Sequence, residues 1–371
     1  MELIEANSEH IRFTHSIEDL GQCQVVIISL DIPTGKEGRS DLSPVRRLVD
    51  EVHALVRQDT AIVVLSQVPP GFTRCIAEGI DSPVFYQVET LVFGQAVERA
   101  LHPERLIVGC SDPAAPLPDA YALLLDAFDC PVLPMRYESA ELAKISINMY
   151  LASSVATTNT MAEICEAIGA DWHEIIPALR MDRRIGQYAY LSPGLGISGG
   201  NLERDLATVT ALADENGTDA RVVEAWTFNS HHRRDWALNT IHSEVIRLLD
   251  EPVIAVWGLA YKQGTNSIKN SPSMALLEHL VPFDVRVFDP AVPASAVPTP
   301  GCYGFESELD ACEGADVLAV MTPWAQFSQL DPRTVAERMR GRVVLDPYQV
   351  LDAEAWSDAG FSYHTLGVAA G

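Results

Sequence analysis

Two short runs of β-branched residues near the start of the chain place the strongest constraint on its fold. Val25-Val-Ile-Ile-Ser-Leu and Ala61-Ile-Val-Val-Leu-Ser have the length and composition of strands, and Ser43–Arg57 between them carries apolar residues at helical spacing. A strand, a helix and a second strand in this order form a crossover that joins parallel strands. The sequence therefore predicts a doubly wound α/β domain in its N-terminal part.

The same alternation returns near the end of the chain, after a long and mostly helical middle. Helical patterns run from Glu138 to about Ile176, with Gly169 as a C-cap, and from Leu202 to about Leu249. Further predicted elements are strands Arg105–Val108, Pro131–Leu133, Val253–Trp257, Val285–Asp289, Val317–Met321 and Val343–Leu345, and helices Leu117–Phe128 and Ser273–Leu280. We therefore predict an α/β protein with an α/β domain over residues 1–135, a helical region over 136–245 and a second α/β domain over 246–371.

The charge of the chain argues against two classes of partner. Its 371 residues contain 26 basic and 51 acidic side chains, a formal net charge of −25, which repels nucleic acid and anionic membrane surfaces. Its most apolar stretches are strand-sized, and the N-terminus carries no basic-then-apolar leader. We expect a cytoplasmic protein that binds neither nucleic acid nor a membrane.

Cysteine and lysine usage give two further expectations. The seven cysteines are scattered without a C-x-x-C pair, which favours buried, reduced thiols over a disulfide framework or a metal site. Only four of the 26 basic residues are lysines, so each lysine is a candidate for a task that needs a compact ammonium group. They are Lys36, Lys144, Lys262 and Lys269.

The glycine pattern expected of a dinucleotide site is missing from the first residues. Such a site needs a strand, G-x-G-x-x-G at the start of a helix, and an acidic residue about twenty positions later, and no such pattern precedes Val25. Gly258-Leu-Ala-Tyr-Lys has a single glycine and is typical of a turn after a strand. The loop Pro193-Gly-Leu-Gly-Ile-Ser-Gly-Gly, which precedes a helix, is either a ligand-binding loop or a plain connection.

Two polar clusters also allow a structural and a functional interpretation. Lys144 and Asn148 share one helical face, and Glu141 lies one turn before Lys144, an arrangement that is typical of a solvated, salt-bridged surface. The cluster Asn229-Ser-His-His-Arg-Arg-Asp is interpreted as an exposed, charged helix segment without a catalytic role.

Eight segments, taken in order from about Ile11 to Leu366, resemble the motifs of the NAD-dependent nucleotide-sugar dehydrogenases, the UDP-glucose and GDP-mannose dehydrogenases. Each motif is weak alone, but their common order is specific. They are Ile32-Pro-Thr, Ser66-Gln-Val-Pro-Pro-Gly-Phe-Thr, Val88-Glu-Thr-Leu-Val-Phe-Gly-Gln-Ala, Glu141-Leu-Ala-Lys-Ile-Ser-Ile-Asn, Asp182-Arg-Arg-Ile-Gly, the glycine loop continued to Asp205, Gly258-Leu-Ala-Tyr-Lys with Thr265 and Ser271-Pro, and Thr322-Pro-Trp-Ala-Gln-Phe.

The resemblance implies a four-electron oxidation of a sugar C6 alcohol to a carboxylate with two NAD. It implies a Rossmann-like NAD-binding domain within 1–135, a central long-helix region that forms a homodimer and the active site, and a Rossmann-like domain over 246–371 that binds the nucleotide sugar. About 60–70 residues with the first strand, the glycine fingerprint and the ribose acid are absent by comparison. The N-terminal domain is therefore expected to be incomplete.

Individual roles follow from the matched motifs. Lys144 corresponds to the lysine that stabilises the alkoxide, Asp205 to the aspartate that removes the hydroxyl proton, and Asn148 to the amide that positions the oxygen. Glu89 corresponds to the glutamate of thioester hydrolysis. Expected substrate-binding residues are Gly194, Gly196, Gly199, Gly200, Arg184, Lys262 and Lys269, and expected cofactor-binding residues are Pro33, Thr34, Gln67 and Tyr348.

Several positions depart from the family pattern. Asn201 stands where the family has its nucleophilic cysteine, and an amide cannot form the thiohemiacetal and thioester of the second oxidation. Other replacements are Gln67 for threonine, Phe93 for glutamate, Ser198 for glycine, Arg204 for lysine, Asn266-Ser267 for two aspartates, and Lys269 and Tyr348 for arginines.

We therefore expect a degenerate homologue that binds an NDP-sugar and oxidises its C6 alcohol no further than the aldehyde. A separate polypeptide could complete the N-terminal domain. The alternative is a non-catalytic scaffold or regulatory partner of an intact dehydrogenase.

Overall fold

The computed structural model describes residues 2–32, 40–91, 95–297 and 299–369. It divides into two compact units, Met1–Ile147 and Asn148–Gly371. The division lies inside one long helix. The domain boundaries near residues 135 and 245 stay a prediction.

The first unit is an α/β unit built on one sheet. Its described residues form a five-stranded sheet in the order β1-β2-β3-β4-β5, parallel except that β3 and β4 pair antiparallel. The strands are β1 (Val25–Ile28), β2 (Ala61–Val64), β3 (Val84–Gln87), β4 (Leu106–Cys110) and β5 (Val132–Arg136), and the helices are α1 (Glu2–Ala6), α2 (Ser43–His53), α3 (Phe72–Ala77), α4 (Ala96–Leu101) and α5 (Asp119–Asp126).

The predicted strand–helix–strand unit at the start of the sheet is confirmed. β1 and β2 pair in parallel, with Val25 opposite Ala61, and α2 buries its apolar face at Val45, Val49 and Val52. Strand β3 was not predicted from the sequence, because its segment Val84-Phe-Tyr-Gln is only four residues long and shows no alternation of apolar and polar residues. In the order of the described strands, β1 lies at one edge of the sheet.

The middle of the chain is helical, but it is more interrupted than its sequence pattern indicates. Helix α6 (Tyr137–Ile168) ends at Gly169, whose φ of +80° confirms the predicted C-cap. The predicted continuous region from Leu202 to Leu249 is wrong in detail, because Gly217 at φ +64° ends its first helix. The other segments are α7 (Trp172–Met181), α8 (Asn201–Asn216), α9 (Arg221–Arg234), α10 (Trp236–Ile241) and a π-helical turn over His242–Ile246.

The C-terminal sheet has the strand order of a doubly wound fold. Its described strands run β11-β10-β9-β6-β7-β8, all parallel, so the order reverses between β6 and β9. The strands are β6 (Val253–Trp257), β7 (Asp284–Phe288), β8 (Cys302–Gly304), β9 (Val317–Val320), β10 (Val343–Leu345) and β11 (Ser362–His364), and the helices are α11 (Pro272–His279), α12 (Glu308–Ala311), α13 (Pro332–Arg338) and α14 (Ala353–Asp358).

Both faces of this second sheet are covered by apolar side chains. Strand β9 is buried at every position, as expected for a central parallel strand with helices on both sides. Trp257 at the end of β6 packs against Phe327 and Trp356, with ring centroids 5.2 and 6.5 Å away. Within the part of the chain that the structure describes, no helix combines the length and apolar character needed to cross a bilayer.

Candidate active site

The glycine loop before α8 is fixed by close backbone contacts that only glycine permits. Gly196 has φ +76°, and a Cβ at this position would lie 2.3 Å from the Ser230 carbonyl oxygen on α9. The Ser230 hydroxyl in turn accepts a hydrogen bond from the Ile197 amide at 2.7 Å. The loop is therefore held against α9 in one conformation.

The same loop packs against three segments, two in the C-terminal α/β fold and one in the central helices. A Cβ on Gly199 would lie 2.8 Å from the Tyr261 ring, and one on Gly200 would lie 3.0 Å from Lys269 Nζ. The Gly194 amide donates a hydrogen bond to Asn159 Oδ1 at 2.9 Å. A Cβ on Gly194 would contact the Tyr348 ring. Four of the predicted substrate-binding glycines thus lie in a crowded loop, with Lys269 beside them.

Asn148 and Asp205 form a buried hydrogen-bonded pair. Asn148 Nδ2 donates to Asp205 Oδ2 at 2.5 Å, although the two residues are 57 positions apart in sequence. The pair is almost closed to solvent, with 8% of Asn148 and 1% of Asp205 exposed. The Arg204 guanidinium lies 3.5 Å from the other carboxylate oxygen of Asp205. The structure therefore joins two predicted catalytic residues, and it excludes a solvated face for Asn148.

Glu203 is a titratable group near this pair that the sequence did not single out. Burial raises the pKa of its carboxyl to about 7, although the cations of Arg234 and Lys269 act in the opposite direction. It lies in the first turn of α8, two residues before Asp205. Only its neighbours in the fold distinguish it from other helical glutamates, and those neighbours come from distant parts of the sequence.

In the first unit, Glu141 is buried and holds a loop. Its two carboxylate oxygens accept hydrogen bonds from the Gly71 amide at 2.6 Å and the Thr73 amide at 2.8 Å. Burial raises the pKa of this carboxyl, and the hydrogen bonds from Gly71 and Thr73 partly oppose that rise. The interpretation of Glu141 as part of a solvated surface is therefore wrong, because the start of α6 packs against the loop after β2. Lys144, one turn further along α6, is half-buried.

The turn after β6 is also held by a carboxylate of the protein. Asp289, which follows β7, accepts hydrogen bonds from the amides of Leu259 at 2.6 Å and Ala260 at 3.0 Å and from Trp324 Nε1 at 3.1 Å. In a dinucleotide-binding fold the amides of this turn would be available to a phosphate. The interpretation of Gly258-Leu-Ala-Tyr-Lys as a turn rather than a phosphate loop agrees with this geometry.

Three domain models of one family match most of the chain. They are the NAD binding domain of the UDP-glucose/GDP-mannose dehydrogenase family over residues 1–123, its central domain over 138–230 and its UDP binding domain over 255–353. The chain belongs to the UDP-glucose/GDP-mannose dehydrogenase family. The resemblance stated from the motifs is thereby confirmed.

Full-length relatives agree with this assignment. The UDP-glucose 6-dehydrogenase of Rickettsia bellii is 29% identical over 376 residues, which cover 97% of this chain and 85% of that protein. The structure of a UDP-glucose dehydrogenase from Pyrobaculum islandicum is 25% identical, with a TM-score of 0.82, over 97% of this chain and 83% of that one. The structure of a UDP-D-ManNAc dehydrogenase from Pyrococcus horikoshii is similar in fold, with a TM-score of 0.83 at 23% identity, over 98% and 86% of the two chains.

The family match confirms the α/β fold class, with an NAD-binding domain, a central helical domain and a C-terminal domain. It also supports NAD as the cofactor of the family to which the chain belongs. The missing first strand, the missing fingerprint and the loss of the cysteine at Asn201 stay predictions.

Other residues predicted from this family's motifs lie in more open surroundings. Asn201 is exposed and begins α8. Glu89 follows β3, half-buried, and accepts a hydrogen bond from the Leu91 amide. Arg184 is exposed, and its guanidinium pairs with Asp182, two residues before it. Gln67 lies half-buried in the loop after β2. Pro33, Thr34 and Phe93 lie outside the described residues.

Lys262 lies in the turn that the family's UDP binding domain model covers. It is half-buried beside the Tyr261 ring, with Nζ 5.6 Å from the ring centroid, and burial lowers the pKa of its ammonium group. A cation in a partly dry setting attracts an anion more strongly than one in open water, because the effective dielectric constant is lower.

The charged cluster at the end of α9 is only partly exposed, which corrects its interpretation as a wholly solvated segment. Arg233 is 2% exposed and forms a bidentate ion pair with Glu166 on α6. Glu166 also accepts a hydrogen bond from the Gly367 amide at 2.6 Å, so it ties the chain's last described segment to α6.

The thiols and possible metal ligands add no further centre. All seven cysteines are free; Cys110, Cys165 and Cys312 are buried, but Cys75 is exposed, contrary to the expectation of burial. Among residues 2–32, 40–91, 95–297 and 299–369, no group of three or more metal-ligating side chains is close enough to hold an ion.

Proposed function

We propose that the chain binds an NDP-sugar of the UDP-glucose type and oxidises its C6 alcohol no further than the aldehyde. The observation that carries this proposal is the buried hydrogen bond between Asn148 and Asp205, 2.5 Å long. Burying a carboxylate and an amide costs free energy, which their hydrogen bond and the neighbouring Arg204 guanidinium offset. Buried polar groups of this kind cluster at functional sites, and the family motifs assign both residues to the reacting hydroxyl.

Asp205 is the base of the proposed alcohol oxidation. Its carboxylate takes the hydroxyl proton directly or through a water, and Asn148 fixes that carboxylate and the substrate oxygen. The family motifs assign to Lys144, one turn before Asn148 in the sequence of α6, the stabilisation of the alkoxide that forms. The hydride that leaves C6 in this oxidation needs an acceptor, which NAD provides in this family.

Asn201 limits the proposed reaction to two electrons. The second oxidation of the family proceeds through a covalent thiohemiacetal, and an amide side chain has no nucleophile of comparable strength. The aldehyde is therefore the expected end product.

The glycine loop and two lysines form the proposed nucleotide-sugar site. The loop amides at Gly199 and Gly200 precede α8, Lys269 lies against Gly200, and Lys262 lies beside Tyr261. Local cations of this kind can attract a diphosphate in spite of the overall charge of −25.

We infer that residues 1–371 alone bind NAD weakly. Residues 1–135 contain no G-x-G-x-x-G, and the order of the described strands in the first unit is sequential, without the reversal at which doubly wound folds bind their ligands. The letters G-x-G-x-x-G do occur at Gly194, Gly196 and Gly199, but in the described chain the element directly before them is helix α7 and not a strand. We therefore derive no step of the mechanism through a cofactor site in the first unit.

Calorimetric titration of NAD into the chain, with and without saturating UDP-glucose, tests this proposal. We expect UDP-glucose binding and only weak NAD binding; micromolar NAD binding would contradict the inferred weakness and call for NADH counts per sugar. No UDP-sugar binding, together with no turnover in the presence of an intact relative, would favour the scaffold alternative.

An engineered cysteine tests the two-electron limit. If turnover is found, Asn201→Cys should raise the NADH formed per sugar from about one toward two, because it supplies the missing nucleophile. Asn201→Ala is the matched control and should stay near one. A wild-type chain that already forms the uronate would overturn the limit.

A further inference from the structure

The loop that follows β2 is anchored at two points on either side of Gln67. The Ser66 hydroxyl donates to the Leu30 carbonyl oxygen at 2.6 Å, which ties the start of the loop to the end of β1. At its other end the Gly71 and Thr73 amides donate to the two oxygens of Glu141. Ligands of parallel sheets bind outside the carboxyl ends of strands, which is where this loop lies.

Glu141 carries this second anchor on the helix that also carries Lys144. The two residues are one turn apart on α6, and Glu141 is fully buried. Because one turn of an α-helix is rigid, the hydrogen bonds that hold Glu141 also fix the position of the turn that carries Lys144.

The geometry of the anchor favours the ionised carboxylate. Two amide donors point at two different oxygens, and in the ionised form both oxygens act only as acceptors. A glutamine in the same rotamer presents one oxygen and one N–H, so one of the two amides would face another donor. Hydrogen bonds to an ionised acceptor are also the strong ones.

We propose that Glu141 is a positioning residue, which sets the place of Lys144 relative to the loop that contains Gln67. The proposal rests on the proposed function for the role of Lys144, but its structural part can be measured without turnover. The motif comparison assigned no role to Glu141.

The test compares Glu141→Gln with Glu138→Gln in the full chain. Glu138 is a matched control, since it lies one turn earlier on α6 and forms an ion pair with Arg74 on α3. Both side chains of this pair are 40% exposed, and among the described residues Glu138 accepts no hydrogen bond from the amides of this loop. Exposed pairs of this kind contribute little. Glu141→Asp, which keeps the charge with a shorter reach, is a second variant if Glu141→Gln fails to fold.

The first measurement is amide hydrogen exchange at Gly71 and Thr73. In Glu141→Gln we expect exchange faster by about tenfold or more at the amide that faces the new N–H group, because its charge-assisted hydrogen bond is replaced by a contact between two donors. The other amide keeps an uncharged acceptor and should exchange only slightly faster. Glu138→Gln should leave both amides at the wild-type rate. Wild-type exchange in Glu141→Gln would overturn the anchor itself.

The second measurement reports on Lys144 directly. The chain has only four lysines, so 13C-dimethylation gives few resonances, and Lys144→Arg identifies the one of interest. We expect the Lys144 resonance to shift and titrate differently in Glu141→Gln, with the Lys262 and Lys269 resonances unchanged. An unchanged Lys144 resonance beside faster Gly71 exchange would mean that Glu141 only caps α3, and would overturn the proposal.

These results separate the two proposals. A shifted Lys144 resonance in a chain that binds no UDP-sugar and forms no NADH, even in the presence of an intact relative, would refute the proposed function and leave the positioning role intact. Turnover by the wild type that Glu141→Gln leaves unaltered, with an unmoved Lys144 resonance, would do the reverse.

Discussion

At the scale of single residues, this protein fixes its loops with carboxylates that bind backbone amides. Glu141 holds the loop after β2, Asp289 holds the turn after β6, and the buried Asp346 holds the segment after β10 through the Leu351 amide at 2.7 Å. Burial raises the pKa of Asp346, as it does that of Glu141. Glu141 and Asp289 lie far in the sequence from the amides that they hold, whereas Asp346 lies close to Leu351.

The close approach of the glycine loop to α9 predicts a large effect of one methyl group. Gly196→Ala should lower the free energy of unfolding by at least about 2 kcal/mol, because it combines a positive φ with a contact of 2.3 Å to the Ser230 backbone. Gly217→Ala is the control, since Gly217 has φ +64° with open space around it and should lose only about 1 kcal/mol. Urea denaturation measures both, and equal losses would show that the contact with Ser230 is unimportant.

The raised pKa of Glu203 predicts a pH dependence of stability. Its pKa of about 7 in the fold exceeds the ordinary 4.5, so the folded chain binds more protons and the contribution of this group is lost as the pH rises from about 4.5 to above 7. The gain in the free energy of unfolding that Glu203→Gln gives over the wild type should therefore be larger at pH 8 than at pH 5. We expect the difference to be on the order of 1 kcal/mol once solvent screening is included.

Thermal unfolding of Glu203→Gln at the two pH values checks this sign. Glu215→Gln, on an exposed turn of the same helix, is the matched control and should change little between them. A larger gain for Glu203→Gln at pH 5 than at pH 8 would contradict the assignment.

At the scale of elements, α6 and α9 are joined by an ion pair whose two charges are largely removed from water. Glu166→Gln should lower the free energy of unfolding by about 3 kcal/mol, because it leaves the buried Arg233 without its counter-charge. Glu163→Gln breaks the exposed contact with His232 between the same two helices and should cost less than about 1 kcal/mol. Similar costs for the two variants, measured in urea, would argue against a buried role for Arg233.

At the scale of the whole molecule, the central helices are the surface on which the dimer expectation can be tested. Tyr150 on α6 and Phe228 on α9 are 79% and 77% exposed, and burying such side chains in an interface would remove apolar area from water. We expect the homodimer that the family resemblance implies, and Phe228→Asp should shift it toward monomer. Light scattering of both chains at matched concentration checks this, and a monomeric wild type would contradict it.

The two sheets differ in a way that bears on function. The described strands of the C-terminal sheet reverse their order between β6 and β9, whereas those of the first unit follow one another in sequence. A reversal creates the crevice in which doubly wound folds bind ligands. The inference of a weak NAD site therefore rests on the order of the described strands as well as on the glycine pattern.

The sequence alone determined the fold class and most elements of the two sheets. Strands such as Val25–Ile28 and Ala61–Val64 are short runs of β-branched residues, and the helices between them have a strong apolar period, so local patterns suffice. It also determined which residues carry the family motifs, because motif order is written in the chain. Asn148 and Asp205 were both identified in this way.

The tertiary structure decided which of those residues meet and in what surroundings. Local pattern favours solvated surfaces for Glu141 and Arg233, since an acid or a cation on an amphipathic helix is usually exposed, yet packing buries both against distant partners. The pKa of Glu203 is likewise raised by burial and lowered by cations from α9 and the loop after β6. Such environments are made by contacts between residues far apart in the chain, and local sequence periodicity carries no record of them.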